Sequence, residues 1–245
     1  MVMSWPSAST LAGRLIRLPL RLVPPASPLR ILRGPARGLH WLPGSHTHGC
    51  WLGTYEKQTQ ALLQEHLGAG GVLFDIGANV GFFTLLGARL AESTGRVVAF
   101  EPLERNLAFL RRHVELNGFT NVQVVAAAVA AAPGEGFIDS ARGPAMGGLG
   151  IAGVPVRLVS LDDMASRGEI PVPTLLKIDV EGAEEGVLLG ARALLQATHP
   201  TVLLSGHGWQ CTQACTRLLE RLGYRISVLR DGARDGNYEL LATAT

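Results

Sequence analysis

The chain has 245 residues, 47% of them hydrophobic and 17% charged, a balance rich enough to fill a core and too apolar for a disordered chain. The length suits one large domain, or one domain with an appendage, and three cysteines, an odd number in a chain this long, argue against a disulfide scaffold and for a reducing, cytoplasmic setting. The formal net charge of +2 is unevenly spread: residues 1–55 hold six arginines and no acid, leaving 16 basic and 20 acidic residues for the remainder.

Residues 1–50 read as a basic, partly irregular arm, and residues 51–245 as one α/β domain. Leu11 to Val23 alternates leucines with Arg14, Arg17 and Arg21 up to Pro24-Pro25. Such a segment could lie weakly on a membrane surface or pack across the domain. The first residues lack the early positive charge of a signal peptide, and no run approaches the ~18 apolar residues of a spanning helix.

Tyr55 to Leu67 turns helical, with Thr59, Leu62, Leu63 and Leu67 on one side. Val72 to Ile76 is a short apolar run ending in glycine, read as a buried strand. Gly81 to Ala91 follows as a helix, and Arg96 to Phe100 as a second buried strand closed by Glu101-Pro102. Pro102 suits a first helical turn, Leu103, Leu107, Leu110 and Val114 recur at helical spacing, and Asn117-Gly118 stops the helix. Val122 to Val125 is a third strand, and the glycine-rich stretch Ala131 to Gly153 is assigned to loops and short edge strands. Thr174 to Val180 is a fourth core strand, Glu184 to Gln196 a helix, Thr201 to Leu204 a fifth strand and Thr212 to Leu222 a helix. Tyr224 to Leu229 and Tyr238 to Ala242 form a closing pair. Alternation of this kind calls for a doubly wound, mainly parallel sheet, with ligands bound beyond the carboxyl ends of its strands.

The residues at those strand ends carry the chemistry. The first strand ends in Asp75-Ile76-Gly77-Ala78-Asn79-Val80-Gly81. Gly77 and Gly81 are four apart, which is not the dinucleotide fingerprint, although the loop would still let a ligand approach the backbone and the helix N-terminus behind it. Asp75 suits the ammonium of an amino-acid moiety and would repel a diphosphate. Glu101, at the end of the second strand, can accept two hydrogen bonds from a ribose diol. The fourth strand ends in Lys177-Ile178-Asp179-Val180-Glu181-Gly182-Ala183-Glu184, where Asp179 or Glu181 could position an acceptor or take its proton. Together these favour S-adenosylmethionine over a nicotinamide cofactor.

The chain resembles the FkbM family of S-adenosylmethionine-dependent methyltransferases. The matching stretches are Trp51 to Glu56, Phe74 to Gly81, Ala99-Phe100-Glu101-Pro102 with Asn106, His113 to Asn117, Ser160 to Asp163 and Lys177 to Glu184. The resemblance implies a Rossmann-like seven-stranded sheet whose last strand is antiparallel, and O-methylation of a hydroxyl on a sugar, glycolipid or secondary-metabolite acceptor. It implies that Asp75, Gly77 and Asn79 meet the methionine part of the cofactor, with Gly81 also among the cofactor-binding residues. Glu101 would meet the ribose, and Ala127 and Ala128 would border the adenine. Asp179 and Glu181 would face the methyl and the acceptor, and Tyr55 and Glu56 would help close the site. One departure matters: many relatives carry a glutamate before the histidine of the strand after Pro200, whereas this chain reads Leu204-Ser205-Gly206-His207. His207 remains a candidate acceptor ligand or base.

Two clusters carry less weight. His46-Thr47-His48-Gly49-Cys50 lacks the separated second pair of a structural zinc site, so no metal is expected. Cys211 and Cys215, four apart on a helix, read as core thiols. An NAD-dependent oxidoreductase, a non-catalytic adenosyl-binding module and a nucleic-acid methyltransferase are the alternatives. The last lacks a flipped-base motif and a basic stripe, so no nucleic-acid partner is expected.

Overall fold

A computed structural model describes residues 23–138, 149–150 and 153–244. Residues 11–22 of the basic amphipathic segment, and the glycine-rich stretch around Met146, lie outside them. In chain order the elements are β1 (Leu29–Arg30), β2 (His40–Trp41), a 3-10 turn (Pro43–Ser45), α1 (His48–Leu52), α2 (Lys57–His66), β3 (Val72–Ile76), α3 (Phe82–Ala91), β4 (Arg96–Phe100), α4 (Glu104–Leu116) and β5 (Val122–Val125). There follow β6 (Ala128–Val129), β7 (Gly134–Ile138), β8 (Leu149–Gly150), β9 (Val154–Val159), α5 (Leu161–Ser166), β10 (Leu175–Ile178), α6 (Glu184–Leu189), α7 (Arg192–Thr198), β11 (Thr201–His207), α8 (Trp209–Arg221), β12 (Tyr224–Arg230) and β13 (Asn237–Ala244).

Seven strands form the main sheet in the order β12-β13-β11-β10-β3-β4-β5, parallel except for β13, which pairs antiparallel with both neighbours. This is the doubly wound sheet with an antiparallel last strand that the sequence implies. Because strand side chains alternate, each strand feeds both faces. Leu73, Val97, Leu175 and Leu203 pack with α2 and α3. Phe74, Ile76, Val98, Leu176, Ile178, Val202 and Leu204 pack on the opposite side with α6, α7 and α8. The chain runs outward from β3 to β5 and then returns to β10, so the strand order reverses between β3 and β10. That reversal opens a crevice at their carboxyl ends. A second sheet, β6-β9-β7-β8, stands at the edge of this crevice.

The boundary expected at residue 50 is not where packing begins. Ile31, Ala36, Leu39, Trp41 and Cys50 are buried in the same core as α3. The anchor is Trp41, whose ring stacks on His113 at 4.0 Å and meets Phe82 edge-on. Asn117 clamps the strand beside it, accepting from the His40 amide at 2.7 Å and donating to the His40 carbonyl at 2.9 Å. No helix among the described residues is long and apolar enough to cross a membrane.

The single helix expected over 184–196 is two helices. Gly190 lies so close to β6 that a Cβ there would sit 2.0 Å from the Ala130 carbonyl oxygen. The second helix is capped from far away in sequence: Asp162 accepts from the amides of Ala193 and Leu194, both at 2.9 Å. A carboxylate on first-turn amides stabilises a helix by about 1 kcal/mol.

Candidate active site

A cavity of about 320 Å³ occupies the crevice. One end is made largely of backbone. Gly77 is left-handed, with φ 80°, and a Cβ there would lie 1.9 Å from the Asp179 carbonyl oxygen. Only glycine lets β3 and β10 part this narrowly, because Asp179 donates its amide to the Ile76 carbonyl immediately beside it. Every amide of the loop is already used. Gly77 and Ala78 both donate to the Phe100 carbonyl, Gly81 donates to Ala78, Asn79 to Glu101 Oε2 and Val80 to the Asn79 side chain. The amides of 77–81 are thus engaged within the protein, and donors for a bound anion would have to come from the first turn of α3.

Glu101 is buried and holds three partners: Oε2 accepts from Asn79, and Oε1 accepts from the Leu103 amide and from Asn106 Nδ2. A carboxylate offers roughly four acceptor positions, so one remains on this cavity-lining residue and a second diol hydrogen bond would require one donor to move. Burial holds its pKa above the usual carboxylate range. Beyond it, Ala127, Ala128, Val129 and Ile138 form an apolar wall from the β5–β6 connection and the small sheet.

The other end is made of charged side chains. Asp179, Glu181 and His207 project from the ends of β10 and β11. His207 Nε2 lies 3.4 Å from Glu181 Oε2 and 3.9 Å from Asp179 Oδ1. On its far side, Nδ1 meets Oε1 of the fully buried Glu184 at 2.7 Å, fixing the ring. Glu184 also accepts from the Gly182 amide and the Cys211 thiol, and these partners outweigh burial to lower its pKa. Burial alone would lower the His207 pKa, but the Glu184 bond and the charges of Glu181, Glu184 and Asp179 raise it to about 9. Glu181 sits at φ 54°, and three of the five described non-glycine residues with positive φ (Glu56, Asn79 and Glu181) line this cavity. Strain of this kind, of order 1 kcal/mol or more per residue, collects where a site over-determines its backbone.

Of the residues singled out from sequence, Tyr55, Glu56, Gly77, Asn79, Gly81, Glu101, Ala127, Ala128, Asp179, Glu181 and His207 all line the cavity. Asp75 does not. It lies fully buried behind the wall, accepting from Thr84 Oγ1 at 2.6 Å, with Lys177 Nζ 3.7 Å from its other oxygen. The ammonium it meets is thus the protein's own. Lys177, buried between Asp75 and Asp179 Oδ2 (3.3 Å), was not singled out. The available signal was a charge inside each of two apolar strands, which the register then pairs.

Glu239 was also missed. Its strand, β13, sets it directly opposite Ser205, and Ser205 Oγ donates to its carboxylate at 3.0 Å. The carboxylate absent from β11 therefore enters the cavity from the neighbouring strand, on a residue that lines it. The cluster at 46–50 does not converge: His46 packs on Tyr55, His48 accepts from Trp51 Nε1, and Cys50 is buried in the core.

Residues 75–226 match the methyltransferase FkbM domain. A hexuronic acid methyltransferase, AglP of Haloferax volcanii, is 28% identical over 169 residues, 67% of each chain. Among solved structures, a methyltransferase FkbM from Methylobacillus flagellatus superposes with a TM-score of 0.50 at 18% identity, over 71% of this chain and 44% of that one. A SAM-dependent O-methyltransferase from Thermotoga maritima gives 0.51 at 14% identity, over 78% and 66%. At such identities the structures speak for the shared sheet alone, while the domain match spans more than half of the chain. The cavity at the strand reversal belongs to a methyltransferase, and the chain is a member of the FkbM family.

Proposed function

We propose that the chain transfers the methyl group of S-adenosylmethionine to a hydroxyl of a sugar, glycolipid or secondary-metabolite acceptor. The observation that carries this reading is the division of one cleft into a backbone-lined end and an acidic end. The first fits an adenosyl group, with Glu101 open toward a ribose hydroxyl and Ala127, Ala128, Val129 and Ile138 against the base. The engaged amides of residues 77–81 leave a pyrophosphate only the first turn of α3, which favours an adenosyl group over a dinucleotide.

When bound, the cofactor supplies a methyl group already activated on a sulfonium. The protein has two tasks left: to hold the acceptor oxygen in line and to receive its proton. Tyr55 and Glu56 close the cleft from the loop before α2, with Tyr55 braced edge-on against Phe82. The Asp179–Glu181–His207 cluster brings two acids and an imidazole together at this end and orients the acceptor hydroxyl, while a carboxylate of the acidic end takes its proton. Asp75 acts behind the wall, holding Lys177 and through it Asp179.

AglP's name supports a carbohydrate acceptor. The acidic end, with Glu56, Asp179, Glu181 and Glu239, favours a neutral hydroxyl over a carboxylate as the methylated group. The test is methyl transfer from labelled S-adenosylmethionine to matched neutral sugars and uronic acids. Labelled ether from the neutral sugars is expected. Methyl ester formation on uronic acids alone would overturn the choice of hydroxyl.

A further inference from the structure

Resting on the methyl-transfer reading of the cleft, we infer that Asp179 Oδ1, Glu181 Oε2 and His207 Nε2 form a binding site for a divalent cation, whose remaining positions take hydroxyl oxygens of the acceptor. One ligand atom from each residue lies within 4.8 Å of the other two. A first-row cation bonded at about 2.1 Å spaces its ligands roughly 3–4 Å apart, and the His207 separations of 3.4 and 3.9 Å already fall there.

Two of the three ligands are held from behind by something other than their fellow ligands. His207 gives Nδ1 to the fully buried Glu184, the partner that orients the ring nitrogen of a metal-bound histidine toward its ion. Asp179 divides its oxygens, Oδ2 toward Lys177 and Oδ1 toward His207. All three side chains keep between a fifth and a third of their surface exposed, so the open side faces the cavity.

The charge around them supplies an independent reason. Glu56 and Glu239 stand in the same half of the cavity. The two lysine or arginine side chains that line it are already committed, Lys177 to Asp75 and Asp179, and Arg230 to Asp235. An acceptor hydroxyl that gives up its proton before it attacks therefore carries its negative charge into an excess of carboxylates. A bound cation reverses the sign of that field at the acceptor oxygen. One imidazole and two carboxylates suit Mn²⁺ and its first-row neighbours better than Ca²⁺, which prefers oxygen alone.

The experiment is titration of Mn²⁺ into the full chain after dialysis against EDTA, followed by calorimetry and by the electron paramagnetic resonance signal of the free ion. Micromolar binding at one site is expected, weakened at least about tenfold in His207→Ala and in Glu181→Gln. S-adenosylhomocysteine binding, measured on the same samples, should be unchanged in both variants and shows that they are folded. No Mn²⁺ binding below millimolar concentration, or equal binding by wild type and variants, overturns the cation site. If S-adenosylhomocysteine still binds in that case, the adenosyl reading stands without it. If neither binds, both fall.

Discussion

The two ends of the cleft are built from different materials. At the cofactor end the shape is set by main chain: a glycine pressed against the Asp179 carbonyl, a loop whose amides are spent on neighbouring carbonyls and on Glu101, and an apolar wall. At the acceptor end the shape is set by charged side chains held by other charged side chains. A backbone-built site fixes one ligand closely and tolerates little change, whereas a side-chain site can be retuned by substitution without disturbing the sheet.

The largest effect should come from the first kind of site. Gly77→Ala puts a methyl group where the Asp179 carbonyl stands, so β3 and β10 must separate. Destabilisation of more than about 4 kcal/mol is expected, with no detectable S-adenosylhomocysteine binding. Thermal unfolding and calorimetry check this, and near-normal values for both would break the claim that backbone contact shapes this end. His207→Ala should act in the opposite way. Methyl transfer should fall about 10²–10⁴-fold while S-adenosylhomocysteine affinity stays within about threefold. A matched loss of affinity would merge the two ends into one.

His113 supports the cofactor end from behind. Its Nε2 accepts the Leu42 amide at 3.0 Å, so the hydrogen sits on Nδ1, which donates to the Val80 carbonyl at 2.7 Å. Burial pushes its pKa down to about 4. The unfolded chain therefore takes up this proton first as pH falls. Stability supplied by neutral His113 is complete above about pH 6.5 and is lost progressively toward pH 4, by about 3 kcal/mol in all. Denaturant titrations across that range should show the loss, and His113→Gln should flatten it. An unchanged slope in the variant would assign the acid sensitivity elsewhere. The smallest effect belongs to Asp162→Ala, which uncaps α7 far from the cleft and should cost about 1 kcal/mol with ligand binding intact.

Much of this was legible in the sequence because the strands are short, apolar and punctuated. Val72 to Ile76, Arg96 to Phe100 and Val122 to Val125 have the ends assigned to them, and eleven of the twelve site residues named from the strand ends and the family resemblance line one cavity. The misreadings share a cause. The break at Gly190 depends on Ala130, the cap of α7 on Asp162, the burial of Trp41 on His113, and the place of Asp75 on Lys177. Glu239 enters the site only through its register with Ser205. Each is a contact between distant residues, which periodicity along the chain does not encode.

The most direct test of the divided cleft is calorimetric titration of the wild-type chain with S-adenosylhomocysteine and with NAD, repeated on Glu101→Ala and His207→Ala. Micromolar binding of S-adenosylhomocysteine, none of NAD, loss with Glu101→Ala and retention with His207→Ala are predicted. Tight NAD binding, or S-adenosylhomocysteine affinity that survives the Glu101 change and vanishes with the His207 change, would contradict the assignment of the two ends.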